Sequence, residues 1–169
     1  MRLPADATLI VIDAAEMGGP LSPLSPAANL AALLVAWRGE ELPIVLARSR
    51  AKPAPLPESQ RHGEHEVALD AISAFENTTL ESLLEEIGAT TLVLCGSADS
   101  VAASARDAGG LGYQVYVVAD ACDGAGASGT LAALAPEWAG LTDTAATLAA
   151  AGLANFRARW KAERPRRGQ

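Results

Sequence analysis

The sequence predicts a three-layer α/β/α domain in which one six-stranded parallel sheet, ordered 3-2-1-4-5-6, carries helices on both faces. Three observations predict it. Short apolar runs and helical patterns alternate from end to end, as they do in a sheet built from crossover units. Strands that alternate with helices in this way build a parallel sheet with helices on both faces. The length, 169 residues, suits one domain that buries about two-thirds of its unfolded surface, and no internal repeat appears.

Taken in order, "TLIVID" (8–13) is a buried strand of β-branched residues. "SPAANLAALLVAWRGEE" (25–41) is a helix with Ser25 as N-cap and Pro26 in its first turn. "LPIVLAR" (42–48) is the second strand, and residues 49–65 form a Pro-rich loop without periodicity. "EVAL" (66–69) reads as a short edge strand. "TTLESLLEEIGA" (78–89) is a helix with the capping pattern Thr78-x-x-Glu81 and Gly88 near its end. "TTLVLCG" (90–96) is the most strand-like run, followed by a helix over 99–111 and the strand "QVYVVAD" (114–120). A Gly-rich loop (122–129), a helix near 128–138, a weak strand (139–143) and a last helix over 144–161 complete the pattern. The single domain spans 1–161, and 162–169 is a basic tail.

Composition excludes several classes. Half the residues are hydrophobic, which excludes disorder for most of the length, and no run approaches the ~18 apolar residues of a membrane span. The N-terminus enters a strand directly, so no signal peptide is expected. Two cysteines beside strands read as free thiols, which makes a cytoplasmic location the expectation. Net charge is −7, yet residues 157–169 carry +5 and the remainder −12. No aromatic platform accompanies that basic end, so a solvated terminus is favoured over a nucleic-acid contact.

In a doubly wound sheet, ligands bind beyond the carboxyl ends of the strands where the strand order reverses. That crevice lies between strands one and four, closed by Asp13 on one side and by Cys95, Gly96 and the stretch to Ser100 on the other. Asp13 either serves the crevice or caps the following loop.

The stretches "ATLIVID", "SAFENTTLESLLEEIGATTLVLCG" and "ARDAGGLGYQVYVVADAC" resemble the isochorismatase-like hydrolases, the cysteine hydrolase superfamily, over roughly residues 7–150. The resemblance implies the same 3-2-1-4-5-6 sheet and a homodimer or larger homo-oligomer. It also implies a triad of Asp, Lys and Cys. The Asp matches Asp13. The Lys position, four residues before the Ser of "SAF" (73–75), is Leu69, and the Cys position is Ser100. The link between Gly96 and Ser100, which in such enzymes holds the oxyanion-binding backbone, is about two residues shorter than the family pattern.

A thiol at a helix N-terminus beside an ammonium becomes a thiolate near neutral pH, whereas a serine hydroxyl needs an adjacent base. His62 and His65 lie on the Pro-rich loop, so Ser100 reads better as an N-cap than as a nucleophile. Metal-binding relatives of the nicotinamidase type place an Asp and two His after strand two. Here that stretch is "ARSRAKPAP", so no metal and no cofactor are expected.

The expected function is therefore that of a non-catalytic or strongly weakened member acting as a binding or assembly module. The alternative is hydrolysis of a small vinyl ether, amide or ester that depends on Asp13 without a cysteine, with Arg48, Arg50 or Lys52 as cation. Phe75, Gly96, Ser97 and Asp99 are the candidate substrate-binding residues, and a small, mostly uncharged ligand is expected. Trp37, Trp138 and Trp160 are read as packing or subunit contacts. Leu148, Leu153, Phe156 and Trp160 mark the last helix as the assembly surface.

Overall fold

A computed structural model describes residues 3–4, 6–14, 25–49, 64–124, 126–134 and 136–152. Within them the apolar runs become β1 (Thr8–Ile12), β2 (Ile44–Ser49), β3 (His65–Leu69), β4 (Thr91–Ser97), β5 (Gln114–Asp123) and β6 (Gly140–Thr142). The helices are α1 (Pro26–Gly39), α2 (Leu80–Ile87), α3 (Ala98–Gly110) and α4 (Ala127–Ala132), with residues 144–152 also helical. All six strands pair in parallel in the order β3-β2-β1-β4-β5-β6. The predicted architecture is the observed one.

Because side chains alternate across a strand, each central strand feeds two cores. Ile10, Ile12, Val45, Val67, Leu69, Leu92 and Leu94 face one side, where α2 and α3 cover them with Leu80, Leu84, Val101 and Ala105. Leu9, Val11, Ile44, Leu46 and Val93 face the other and pack on Leu30, Leu33, Leu34 and Trp37 of α1. Trp37 is fully buried, and its indole N–H donates to the Ala7 carbonyl at 3.0 Å, which satisfies its polar atom.

Ser25 caps α1 as expected, its hydroxyl accepting from the Ala28 N–H. The cap of α2 differs from the sequence pattern. Thr79 stands at its N-cap without a side-chain bond, while the Thr78 hydroxyl bonds the Ala74 carbonyl and accepts from the Leu80 N–H. Thr78 ties the helix to the preceding turn and does not form a reciprocal box with Glu81. Gly88 ends α2 in the left-handed region, as glycine C-caps do.

β5 runs three residues beyond the predicted strand, because its register against β4 shifts so that Cys122 pairs with Gly96. The residues displaced by that shift include Asp120. Its carboxylate accepts from both the N–H and the hydroxyl of Thr144 at 2.8 Å, holding the start of the last helix, and its carbonyl accepts from Asn29 at 2.7 Å. α4 is shorter than expected, and Trp138 sits in a turn rather than a helix, 37% exposed. Leu148 packs on the α1-side core. Leu153, Phe156, Trp160 and the basic tail lie outside the described residues.

Candidate functional site

The strands end level with one another at the carboxyl edge, where Asp13, Leu69, Gly96 and Ser97 close or follow their strands. Ile12 pairs with Gly96 on one side and Ala47 on the other, and Ser49 pairs with Leu69. Asp13, partly buried, leaves β1 with φ of 48° while its N–H donates to the Ala47 carbonyl at 2.8 Å. Left-handed backbone is uncommon outside glycine, though Asp tolerates it better than most residues. Strained backbone at a sheet's carboxyl edge is the kind of feature that sites collect.

Gly96 continues this close fit. It has φ of 124°, and a Cβ there would overlap the Ile12 carbonyl oxygen, with the Ile12 carbonyl carbon at 2.8 Å and nitrogen at 2.9 Å. The strand then runs into the helix with no intervening loop, since β4 ends at Ser97 and α3 begins at Ala98. Ser97, not Ser100, occupies the N-cap, and its side chain makes no capping bond. Ser100 is corrected from cap to third residue of the first turn. Asp99 is exposed in that same turn, where a carboxylate favours the helix dipole.

Ser100, Ser104 and Asp107 lie at helical spacing along one stripe of α3. The lower two hold the segment after β3: the Ser104 hydroxyl accepts from the Ala74 N–H at 2.9 Å, and Asp107 accepts from the Ser73 hydroxyl. Both motifs singled out in the sequence, "SAF" and "ARDA", thus meet as a structural clamp. Ser100 stands at the top of the stripe, 8% exposed, and among the described residues its hydroxyl has no hydrogen-bond partner. Leu69, at the end of β3, is 6% exposed and belongs to the apolar core.

Phe75 is not brought to this crevice. It packs on Tyr113 with ring centroids 6.3 Å apart, and lines a cavity of about 520 Å³ with Glu81, Arg106, Gly110, Leu111 and Trp138. Eleven helical residues at about 1.5 Å each separate Leu111 from Ser100. The cavity is therefore at the far edge of the sheet. Arg48 is also set apart: alternation along β2 places it on the face of Ile44 and Leu46, opposite Leu69. His65 opens β3, while His62, Arg50 and Lys52 lie outside the described residues. No group of three or more His, Cys, Asp or Glu suited to a metal occurs among the described residues.

A second cavity at the carboxyl edge, about 580 Å³, is lined by Pro26, Asp120, Cys122, Gly124, Ala127 and Leu131 among others. Cys122, one of the two cysteines read from the sequence as free thiols, is among these lining residues. Its thiol donates to the Val118 carbonyl, and burial pushes its pKa up to about 12, against a lowering hydrogen bond from Gly96. Burial likewise holds the Cys95 thiol well above the ordinary value. Neither has thiolate character at neutral pH.

These shifts predict alkaline lability. Below the ordinary thiol pKa of 9.0 both states are protonated, so nothing is lost. Between there and about 12, only the unfolded Cys122 ionises, and stability falls as pH rises. The slope is up to about 1.4 kcal/mol per pH unit for each such thiol. Urea unfolding between pH 8 and 11 should therefore be flatter in Cys122→Ala than in wild type. Equal slopes would remove the assignment. Iodoacetamide at neutral pH should leave both cysteines unmodified in the native protein and modify both once it is unfolded.

The family model described as the isochorismatase domain matches residues 25–145. Among solved structures, the chain is similar to an isochorismatase from Pseudomonas putida KT2440 at 29% identity and TM-score 0.73, over 86% of this chain and 92% of that one. An isochorismatase family protein from Burkholderia thailandensis matches at 22% identity and TM-score 0.74, covering 89% and 98%. N-carbamoylsarcosine amidase from Thermoplasma acidophilum matches at 20% identity and TM-score 0.66, covering 82% and 96%. At these two lower identities the likeness is one of fold.

Proposed function

The chain belongs to the isochorismatase family, and we propose that within it the protein is a non-catalytic or strongly weakened member, acting as a binding or assembly module. One observation carries this reading. The two positions that the family resemblance assigns to Lys and Cys hold a core leucine and a serine whose hydroxyl makes no hydrogen bond to a base among the described residues. A nucleophilic serine requires such a base, and a helix terminus alone does not supply one. The module is proposed to be a cytoplasmic homodimer or larger homo-oligomer that takes a small-molecule ligand, without metal or cofactor. Sedimentation at micromolar concentration checks the assembly, and a monomer alone would end that part.

A second reading, hydrolysis dependent on Asp13, draws on that residue's left-handed backbone at the carboxyl edge. One assay decides between the two. Amides, vinyl ethers and esters are offered to wild type and to Asp13→Asn, each before and after thiol alkylation under native conditions. The expected result is background turnover throughout. Turnover abolished by Asp13→Asn would establish the second reading, and turnover abolished by alkylation would show that one of the two cysteines is a nucleophile after all.

A further inference from the structure

The structure assigns to Arg48 a role outside the crevice: a seat for the carboxylate group of a small-molecule ligand. Its Nε and Nη2 atoms are buried and have no hydrogen-bond partner among the described residues. Both are N–H donors, and burying them unpaired is unfavourable, so an acceptor that reaches them recovers the lost hydrogen bonds.

The identity of the two atoms names the acceptor. Nε and Nη2 form the side of the guanidinium that grips a carboxylate with two parallel bonds. The same chain shows that grip completed elsewhere. Arg38 donates from Nε to Glu64 at 2.6 Å and from Nη2 to the second Glu64 oxygen at 3.2 Å. Arg48 presents the same pair of donors without the carboxylate.

Its position fits a ligand rather than a structural pair. Arg48 lies next to the end of β2, one residue past Ala47, whose carbonyl accepts from Asp13. It is therefore at the carboxyl edge of the sheet, on the α1 side. The residue keeps partial exposure, so the side chain itself marks a route to the surface. Among the described residues the other cations are Arg38, already paired with Glu64, and Arg106, which lines the far-edge cavity. A single positive charge suits a monoanionic carboxylate better than a phosphate dianion.

The test is thermal unfolding of the full chain at fixed ionic strength with sodium acetate, benzoate, phosphate or chloride, in wild type, Arg48→Lys and Arg48→Met. Acetate or benzoate should raise the wild-type Tm saturably. Arg48→Lys, which keeps the charge but not the paired geometry, should weaken that binding at least tenfold, and Arg48→Met should abolish it. Without ligand, Arg48→Met should unfold no earlier than wild type, since it removes an unpaired buried charge. Four results would each overturn the assignment. They are no carboxylate shift, an undiminished shift in Arg48→Met, an equal shift with phosphate, and a lower Tm for unliganded Arg48→Met, which would reveal a carboxylate partner within the chain. None of these touches the proposed loss of cysteine chemistry, which is read from turnover.

Discussion

Gly96→Ala is expected to destabilise the protein by on the order of 4 kcal/mol, enough to leave many domains largely unfolded at 37 °C. Two costs combine. The backbone at φ 124° is nearly closed to any residue with a Cβ. The added methyl also meets the Ile12 backbone, whose carbonyl carbon and amide nitrogen would both be within 3 Å. Ile12 cannot retreat, because it is fully buried and paired on both sides, with Ala47 and Gly96. Two controls separate the terms. Gly112→Ala has φ of 92° and nothing within 4 Å, so it carries the backbone cost alone. Gly39→Ala has neither and should be neutral or slightly stabilising in the last turn of its helix. Urea midpoints for the three variants check this order. Parity between Gly96→Ala and Gly112→Ala would mean that the strands separate more easily than their register implies.

The second expectation concerns an attempt to rebuild the chemistry. Ser100→Cys with Leu69→Lys should lower stability by roughly 2–4 kcal/mol and should not produce an amidase. The lysine replaces a 6% exposed core side chain, so its ammonium must either lose its charge or disturb the packing around Val67 and Ala74. The cysteine would stand in the first turn of α3, where the helix favours a thiolate by about 1 kcal/mol or so. That is little if the buried lysine has lost its charge. The direct junction of Ser97 with Ala98 leaves no loop whose backbone N–H groups could gather around a developing oxyanion. Removing such donors costs a hundredfold or more in rate, and groups of one catalytic unit fail together. Amide turnover by the double variant a hundredfold above wild type would sink this argument.

The fold was legible because its central strands advertise themselves. "LIVI", "IVLA" and "LVLC" are apolar at every position, and burial on both faces is what the structure shows for them. Helix ends were harder. Ser97 and Ser100 are equally good caps as residue types, and only the close approach of β4 to β1 at Gly96 decides where the helix starts. The extension of β5 to Asp123 depends on a register shift against β4, which no local pattern records. "SAF" drew notice as a motif, but that Phe75 turns toward Tyr113 at the far edge is a matter of tertiary packing. Leu69 and Ser100 were found by alignment to a pattern, and the structure adds that Leu69 is core. Arg48 could be named as a nearby cation, yet its unpaired donors are a property of its neighbours in space and have no trace in sequence.

The seam between β1 and β4 also governs the order in which the protein can assemble. β1 is made first and occupies the middle of the sheet, but its partner on one side is Leu92–Gly96. On the ribosome, β2 and β3 can join β1 early, whereas the other edge stays bare until β4 has emerged. Such long-range pairings are slow to close, and an open strand edge is a template for another chain. Translation that pauses between β3 and β4 leaves β1 with its backbone donors and acceptors unpaired on that side. The yield of soluble protein is then set by how quickly residues 91–97 arrive.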